Sequence, residues 1–209
     1  ATGYKAEKFY TLNCETFYNE LFVTTNMVES LVAARLFLER AQGDVLISYG
    51  YIVYEKKNLE ITMNTPGDIV VMVDDGWFDL WSLRNEDPLS DAETLKYGDN
   101  GQIIELGKKP KSLADIKGQY TGLLKISYNK INEFISFYDR LDHSLLYDGR
   151  AFKQMYMTSF LQLFIDAGWM VMPANVNHGW LEVDTAEDIQ LYERLSAEGK
   201  LDILWKVNE

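Results

Sequence analysis

The 209 residues carry 32 acidic and 20 basic side chains, a net charge of −12, so no basic stripe can neutralise a phosphate backbone and nucleic acid is excluded as a partner. A 47% apolar, 13% aromatic composition supports one sizeable core and excludes disorder. Cys14 is the only cysteine, which excludes an intrachain disulfide or a cysteine zinc cluster; with no apolar signal core and no run of about 18 apolar residues, a cytoplasmic protein without membrane contact is expected.

In chain order, residues 1–10 read like the middle of a fold, with Gly3 in a turn after a strand that does not precede it. A short strand is expected over 21–24. Asn26 then caps a helix over 28–40, whose buried side carries Leu31, Val32, Ala34, Leu36 and Leu38. The apolar runs 45–47 and 69–73 suit strands covered on both faces. Between Trp77 and Pro110 the elements shorten, and Tyr97-Gly98-Asp99-Asn100-Gly101 predicts a hairpin turn between 93–96 and 102–106. A strand over 123–127, a helix over 130–141, a helix over 156–167 ended by Gly168, and strand segments over 169–172 and 174–176 follow. This rhythm predicts an α/β protein: a mixed, mainly parallel sheet flanked by helices, with a small antiparallel flap, in a single domain over 1–209.

The stretch from Gly179 to Asp188 organises the rest. Leu181 and Val183 alternate with Glu182 and Asp184, so an extended segment turns both carboxylates to one face, which can hold a cation. Thr185 and Asp188 have the spacing of a capping box, and Ile189, Leu191, Tyr192 and Leu195 continue at helical spacing. On local chemistry this is also an ordinary strand-to-helix junction with acids near a positive helix end.

Ligands of open α/β sheets bind beyond the carboxyl ends of the strands, where Gly50-Tyr51, Asp74-Asp75 and Glu182 with Asp184 lie. Asp74-Asp75-Gly76 is expected to be a solvated turn, with a binding role as the alternative. Gly118 and Gly122 around Tyr120 either let backbone approach a ligand or shape the start of a strand. Trp77, Trp81, Tyr120 and Trp180, with Asp91 and Glu93, are either core or a box for an alkylammonium group. His143 and His178 have no paired spacing and read as loop residues.

Six segments carry a resemblance in order: Thr25-Asn26-Met27-Val28-Glu29-Ser30-Leu31, Ile47-Ser48-Tyr49-Gly50, Pro88-Leu89-Ser90-Asp91-Ala92-Glu93-Thr94, Gly118-Gln119-Tyr120-Thr121-Gly122-Leu123, Met157-Thr158 with Leu161-Gln162, and Gly179-Trp180-Leu181-Glu182-Val183-Asp184. Together they resemble the sugar-nucleotidyltransferase-like family, in its branch of phosphocholine and 2-aminoethylphosphonate cytidylyltransferases. The resemblance implies attack by the phosphate or phosphonate oxygen of a small zwitterion on the α-phosphorus of CTP, or of another NTP, with pyrophosphate leaving and magnesium bridging the phosphates.

By position the resemblance makes Glu182 and Asp184 metal ligands, and Asn26, Ser30, Gly50 and Tyr51 nucleotide-proximal. Gln119, Tyr120 and Trp180 fall in the acceptor pocket, and Asp91 and Glu93 near the ammonium group. The chain departs from the family pattern twice. Tyr51 stands where members have a metal-binding aspartate after the glycine, so weaker metal binding is expected. The family's opening strand, glycine-rich loop, helix and second strand do not precede Ala1, which reads as an N-terminal truncation, leaves sheet edges unpaired and favours self-association. The alternatives are a sugar-1-phosphate nucleotidyltransferase, and a non-catalytic nucleotide-binding or assembly domain of the same fold.

Overall fold

The computed structural model describes residues 1–206. In chain order the longer elements are α1 (Met27–Ala33), α2 (Arg35–Glu39), β1 (Val45–Ser48), β2 (Ile52–Tyr54), α3 (Lys56–Asn64), β3 (Ile69–Asp74) and α4 (Trp77–Arg84). There follow β4 (Leu95–Tyr97), β5 (Ile103–Leu106), β6 (Gln119–Ile126), α5 (Ile131–Asp139), β7 (Leu146–Tyr147), β8 (Arg150–Ala151), α6 (Met157–Asp166), β9 (Val171–Val176), β10 (Trp180–Glu182) and α7 (Ala186–Ala197). The chain divides into two compact units, one of residues 1–45 and 127–164, the other of residues 46–126 and 165–209.

The first unit is helical. Phe134 of α5 stacks on Phe164 of α6 with centroids 4.8 Å apart, and Arg35 holds Asp139 through two hydrogen bonds of 2.7 and 2.8 Å, so apolar contact inside and a forked ion pair outside join its helices. Residues 21–24 are turns rather than the expected strand, and Val23 is 80% exposed instead of buried in a sheet. The expected helix over 28–40 breaks at Ala34 (φ −91°, ψ 18°) into α1 and α2, leaving Leu36 exposed.

The second unit holds the sheet, in the order β1-β6-β3-β9. All six residues of β3 are buried; β6 runs antiparallel to it and β9 parallel, so the expected mixed α/β architecture is present. Side chains alternate along a strand, which puts Ile69, Val71 and Val73 on one face and Val70, Met72 and Asp74 on the other, both covered. Met72, Leu123 and Val176 pack with Trp77, Leu80 and Trp81 of α4 and Leu191, Tyr192 and Leu195 of α7. The two strand segments expected over 169–176 form one strand through Pro173, which the sheet tolerates because β9 lies at the end of the strand order. The β4–β5 hairpin forms the expected flap. Among the described residues no helix is long and apolar enough to cross a membrane.

The strand expected from Leu123 starts earlier, at Gln119, and its register on β3 shifts between Val71 and Val73. Gly122 lies in this irregular stretch at φ +86°, where a Cβ would come within 2.6 Å of the Tyr49 ring. The Tyr49 N–H donates to the Gly122 carbonyl at 2.9 Å, so the missing side chain is what lets the loop after β1 lie on β6. At Gly122 these contacts support the strand-shaping reading. Gly122→Ala is expected to destabilise by about 2 kcal/mol or more, from the left-handed backbone and the clash together, measured by urea denaturation.

Candidate active site

The strand β10 pairs antiparallel with β2, setting Glu182 opposite Ile52, and the Val183 N–H donates to the Tyr51 carbonyl at 2.8 Å. This pairing fixes the acids of 182 and 184 beside Tyr51. The helix α7 begins as the sequence predicts: Thr185 Oγ1 accepts from the Asp188 N–H, and Asp188 Oδ2 accepts from the backbone of Asp184 and Thr185 at 3.0 and 2.9 Å.

One residue that sequence reasoning passed over completes the arrangement. Arg84, in the last turn of α4, has a side chain only 6% exposed and spreads its guanidinium over three carboxylates. Its Nε is 2.8 Å from Asp188 Oδ1, Nη2 is 3.0 Å from Asp184 Oδ2, and Nη1 donates to Glu182 Oε1. The Trp81 ring lies 5.8 Å from the same group. A lone arginine closing an aromatic helix in an acidic chain was the only available signal.

The electrostatics follow from one cation among three anions. Burial would raise the Asp188 carboxyl, but hydrogen bonds from Arg84 and Thr185 outweigh it and hold it down to about 2. Its stabilising share is therefore complete above about pH 4 and lost as pH falls toward 2. Asp188 alone is expected to take about 2 kcal/mol from the stability between those values in urea melts, the part of the acid slope that Asp188→Asn should remove. Burial pushes the Glu182 carboxyl up to about 7 despite Arg84, with Asp184 and Asp91 adding repulsion. Burial, then the charges of Asp184 and Glu182, push the Tyr51 phenol up, so it stays neutral.

Around these acids lie three tyrosines. Tyr49 is 5.4 Å from Tyr51 and 5.8 Å from Tyr120, ring centre to ring centre. Gln119 ties Glu93 to β6 in both directions, accepting from its N–H at 3.0 Å and donating to its carbonyl at 2.6 Å. Glu93 bears electrostatically on Tyr51, and Asp91 on Glu182. Gly50 is exposed in the loop between β1 and β2. Of the sequence-nominated residues, the structure thus brings together Tyr51, Asp91, Glu93, Gln119, Tyr120, Glu182 and Asp184.

The others lie differently. Trp180 is 1% exposed, packs 6.0 Å from Trp81, and donates its indole N–H to Asp74 at 2.9 Å. Trp77, Trp81 and Trp180 are therefore core, not an open box. Asp75 and Gly76 form the expected turn with Asp75 exposed, but Asp74 is not solvated: it is 1% exposed and also accepts from the N–H groups of Gly76 and His178. These bonds hold His178 at φ +60°, with Nε2 3.3 Å from Asp79. Asn26 and Ser30 belong to the first unit, where the Asn26 side chain accepts from the Met27 N–H and the Ser30 hydroxyl accepts from Asn19.

No protein-family model matches the chain. A CTP:phosphoglutamine cytidylyltransferase of Campylobacter jejuni is 40% identical over 178 residues, covering 84% of this chain and 70% of the relative. This chain belongs to the sugar-nucleotidyltransferase-like family. Solved structures share the fold of the family: the inositol-1-phosphate CTP transferase from T. maritima has a TM-score of 0.58 at 15% identity, covering 91% of this chain and 67% of that one. A candidate glucose-1-phosphate thymidylyltransferase from Bacillus anthracis, in complex with a sucrose, has a TM-score of 0.59 at 14% identity, covering 88% of this chain and 63% of that one.

For a sugar-nucleotidyltransferase-like protein, the resemblance implies a divalent cation at Glu182 and Asp184. The donors present do not fit one as they stand. Each acid already gives an oxygen to the Arg84 guanidinium, the neighbouring Tyr51 is a neutral phenol, and among the described residues no three histidine, cysteine or acidic side chains are grouped to hold a metal.

Proposed function

We propose that this chain carries the acceptor and acid side of a cytidylyl-transfer site, taking a small phosphate or phosphonate ester or amide that bears an ammonium group. The observation that carries the reading is the convergence of Glu93, Tyr49, Tyr51, Tyr120, Glu182 and Asp184 on one place. Neutral phenol rings with carboxylates beside them favour an alkylammonium group by ring quadrupole and counter-charge. The activity of the Campylobacter jejuni relative supports a phosphorylated acceptor and CTP as donor.

The reaction is an in-line displacement. An oxygen of the acceptor phosphate forms a bond to the α-phosphorus of CTP as the bond to the bridging oxygen breaks, and pyrophosphate leaves with that oxygen's electron pair. The residues of this chain contribute positioning. Asp91 and Glu93 hold the ammonium end so that the phosphate end points at the reacting phosphorus, and the Gln119 amide fixes the Glu93 backbone while they do so. The half-buried rings of Tyr49 and Tyr120 shield that end of the acceptor from water.

Calorimetry with phosphoglutamine, phosphocholine, 2-aminoethylphosphonate and glucose 1-phosphate tests this. At least one ammonium-bearing compound is expected to bind and glucose 1-phosphate is not; the reverse order selects a sugar-1-phosphate nucleotidyltransferase. The engagement of both acids by Arg84 favours a second reading, a domain that binds its ligands without turnover. CTP binding with no pyrophosphate release selects it.

A further inference from the structure

We infer that Arg84 is a built-in counter-ion of the acid pair, a tethered cation that occupies the position between Glu182 and Asp184 and competes with any divalent ion for it. The inference rests on reading those acids as the metal-facing pair of the proposed site, but it concerns binding to this chain alone and needs no turnover.

Three features of the geometry carry it. The guanidinium is located independently of the two acids it blocks. Its Nε and Nη2 both bond Asp188, which the Asp184 and Thr185 N–H groups and the Thr185 hydroxyl fix in the first turn of α7. The remaining edge of the fork then meets Glu182 and Asp184 with one donor each, as a bridging cation would. Exposure falls from 45% for the Asp184 side chain to 14% for Glu182 and 6% for Arg84, so an ion approaching from solvent meets Asp184 first and the guanidinium lies behind it.

The packing explains why the arginine stays. Trp81 covers one side of the guanidinium, and the Tyr192 hydroxyl, donating to the Glu182 carbonyl at 2.8 Å, ties the strand carrying Glu182 to α7. A dication entering between the acids must share them with a positive group held a few ångströms away in a half-buried setting, where like-charge repulsion is several times stronger than in water. Removing that charge is therefore expected to raise divalent affinity by about tenfold or more.

The test uses Mn2+ as probe, with free Mn2+ followed by electron paramagnetic resonance and thermal melts run in parallel on the full chain. R84Q, which removes the charge and keeps a polar side chain, is expected to bind Mn2+ about tenfold more tightly than wild type and to gain more in Tm from added Mn2+. R84K should stay close to wild type, and adding D184N to R84Q should cancel the gain. Equal or weaker binding by R84Q, or a gain of the same size in R84K, overturns the inference. Should R84Q not fold, the wild-type chain decides. Mn2+ binding that stays unsaturated at millimolar concentration agrees with an occupied acid pair, whereas micromolar binding abolished by D184N contradicts it. Neither outcome depends on CTP, so the inference and the proposed activity fail separately.

Discussion

Arg84→Ala is expected to destabilise the chain by about 3–5 kcal/mol at pH 8, among the largest effects of any single substitution here. The pair it makes with Asp188 is 6% and 8% exposed, and deletion strands Asp188 and Glu182 as uncompensated charges in a setting where water cannot replace the lost donors. The cost should depend on pH in a definite direction. Glu182 already titrates near 7, and losing Arg84 pushes it higher, so at pH 5 it takes up a proton and escapes the penalty. Asp188 has no such escape until pH falls much further. Urea denaturation of wild type and variant at pH 5 and pH 8 should give a distinctly larger difference at pH 8. Equal differences at the two values would place Glu182 outside the arginine network.

Tyr51→Asp is expected to raise divalent-ion affinity by about tenfold or more. The residue lies beside both acids, and its phenol contributes neither charge nor a strong oxygen donor. An aspartate there adds a third carboxylate to Glu182 and Asp184, turning a pair shared with arginine into a set with hard-oxygen donors to spare. Without metal the variant should be less stable by about 1–2 kcal/mol, from repulsion among the acids and from loss of the contact with Tyr49. Added Mg2+ should recover that loss. Thermal melts with and without Mg2+ measure both halves, and a Tm in the variant that ignores Mg2+ would mean that position 51 does not face the acids.

What the sequence made legible were features that local chemistry settles. The buried run of β3, the hairpin turn after Tyr97 and the Thr185–Asp188 capping box each follow from a short stretch of chain, and each is where it was expected. The less readable elements depend on distant partners. The helix α3 buries Asn58 and Thr62, polar residues that give no apolar stripe; Asn58 is paid for only by the carbonyls of His178 and Gly179, some 120 positions away. The helix α4 starts at Gly76 without a side-chain cap, and its tryptophans looked as much like a ligand box as a core. Asp74 looked like turn chemistry because two of the donors to its carboxylate, His178 N–H and the Trp180 indole, lie beyond any local window, while only Gly76 N–H is near. At the site itself the alternation of Glu182 and Asp184 was readable, and so was their meeting with Tyr51. The cation they hold was not, because Arg84 reaches them from 98 and 100 residues away in sequence.

The most direct measurement is acceptor-dependent pyrophosphate release from CTP, with phosphoglutamine as acceptor, by the wild-type chain, Y51D, and Y51D carrying D184N. The account predicts slow release by wild type, faster release by Y51D, whose added carboxylate would complete a donor set able to hold a divalent ion, and loss of that gain when Asp184 is also replaced. Release that is indifferent to Asp184, or none from either wild type or Y51D despite CTP binding, would contradict it.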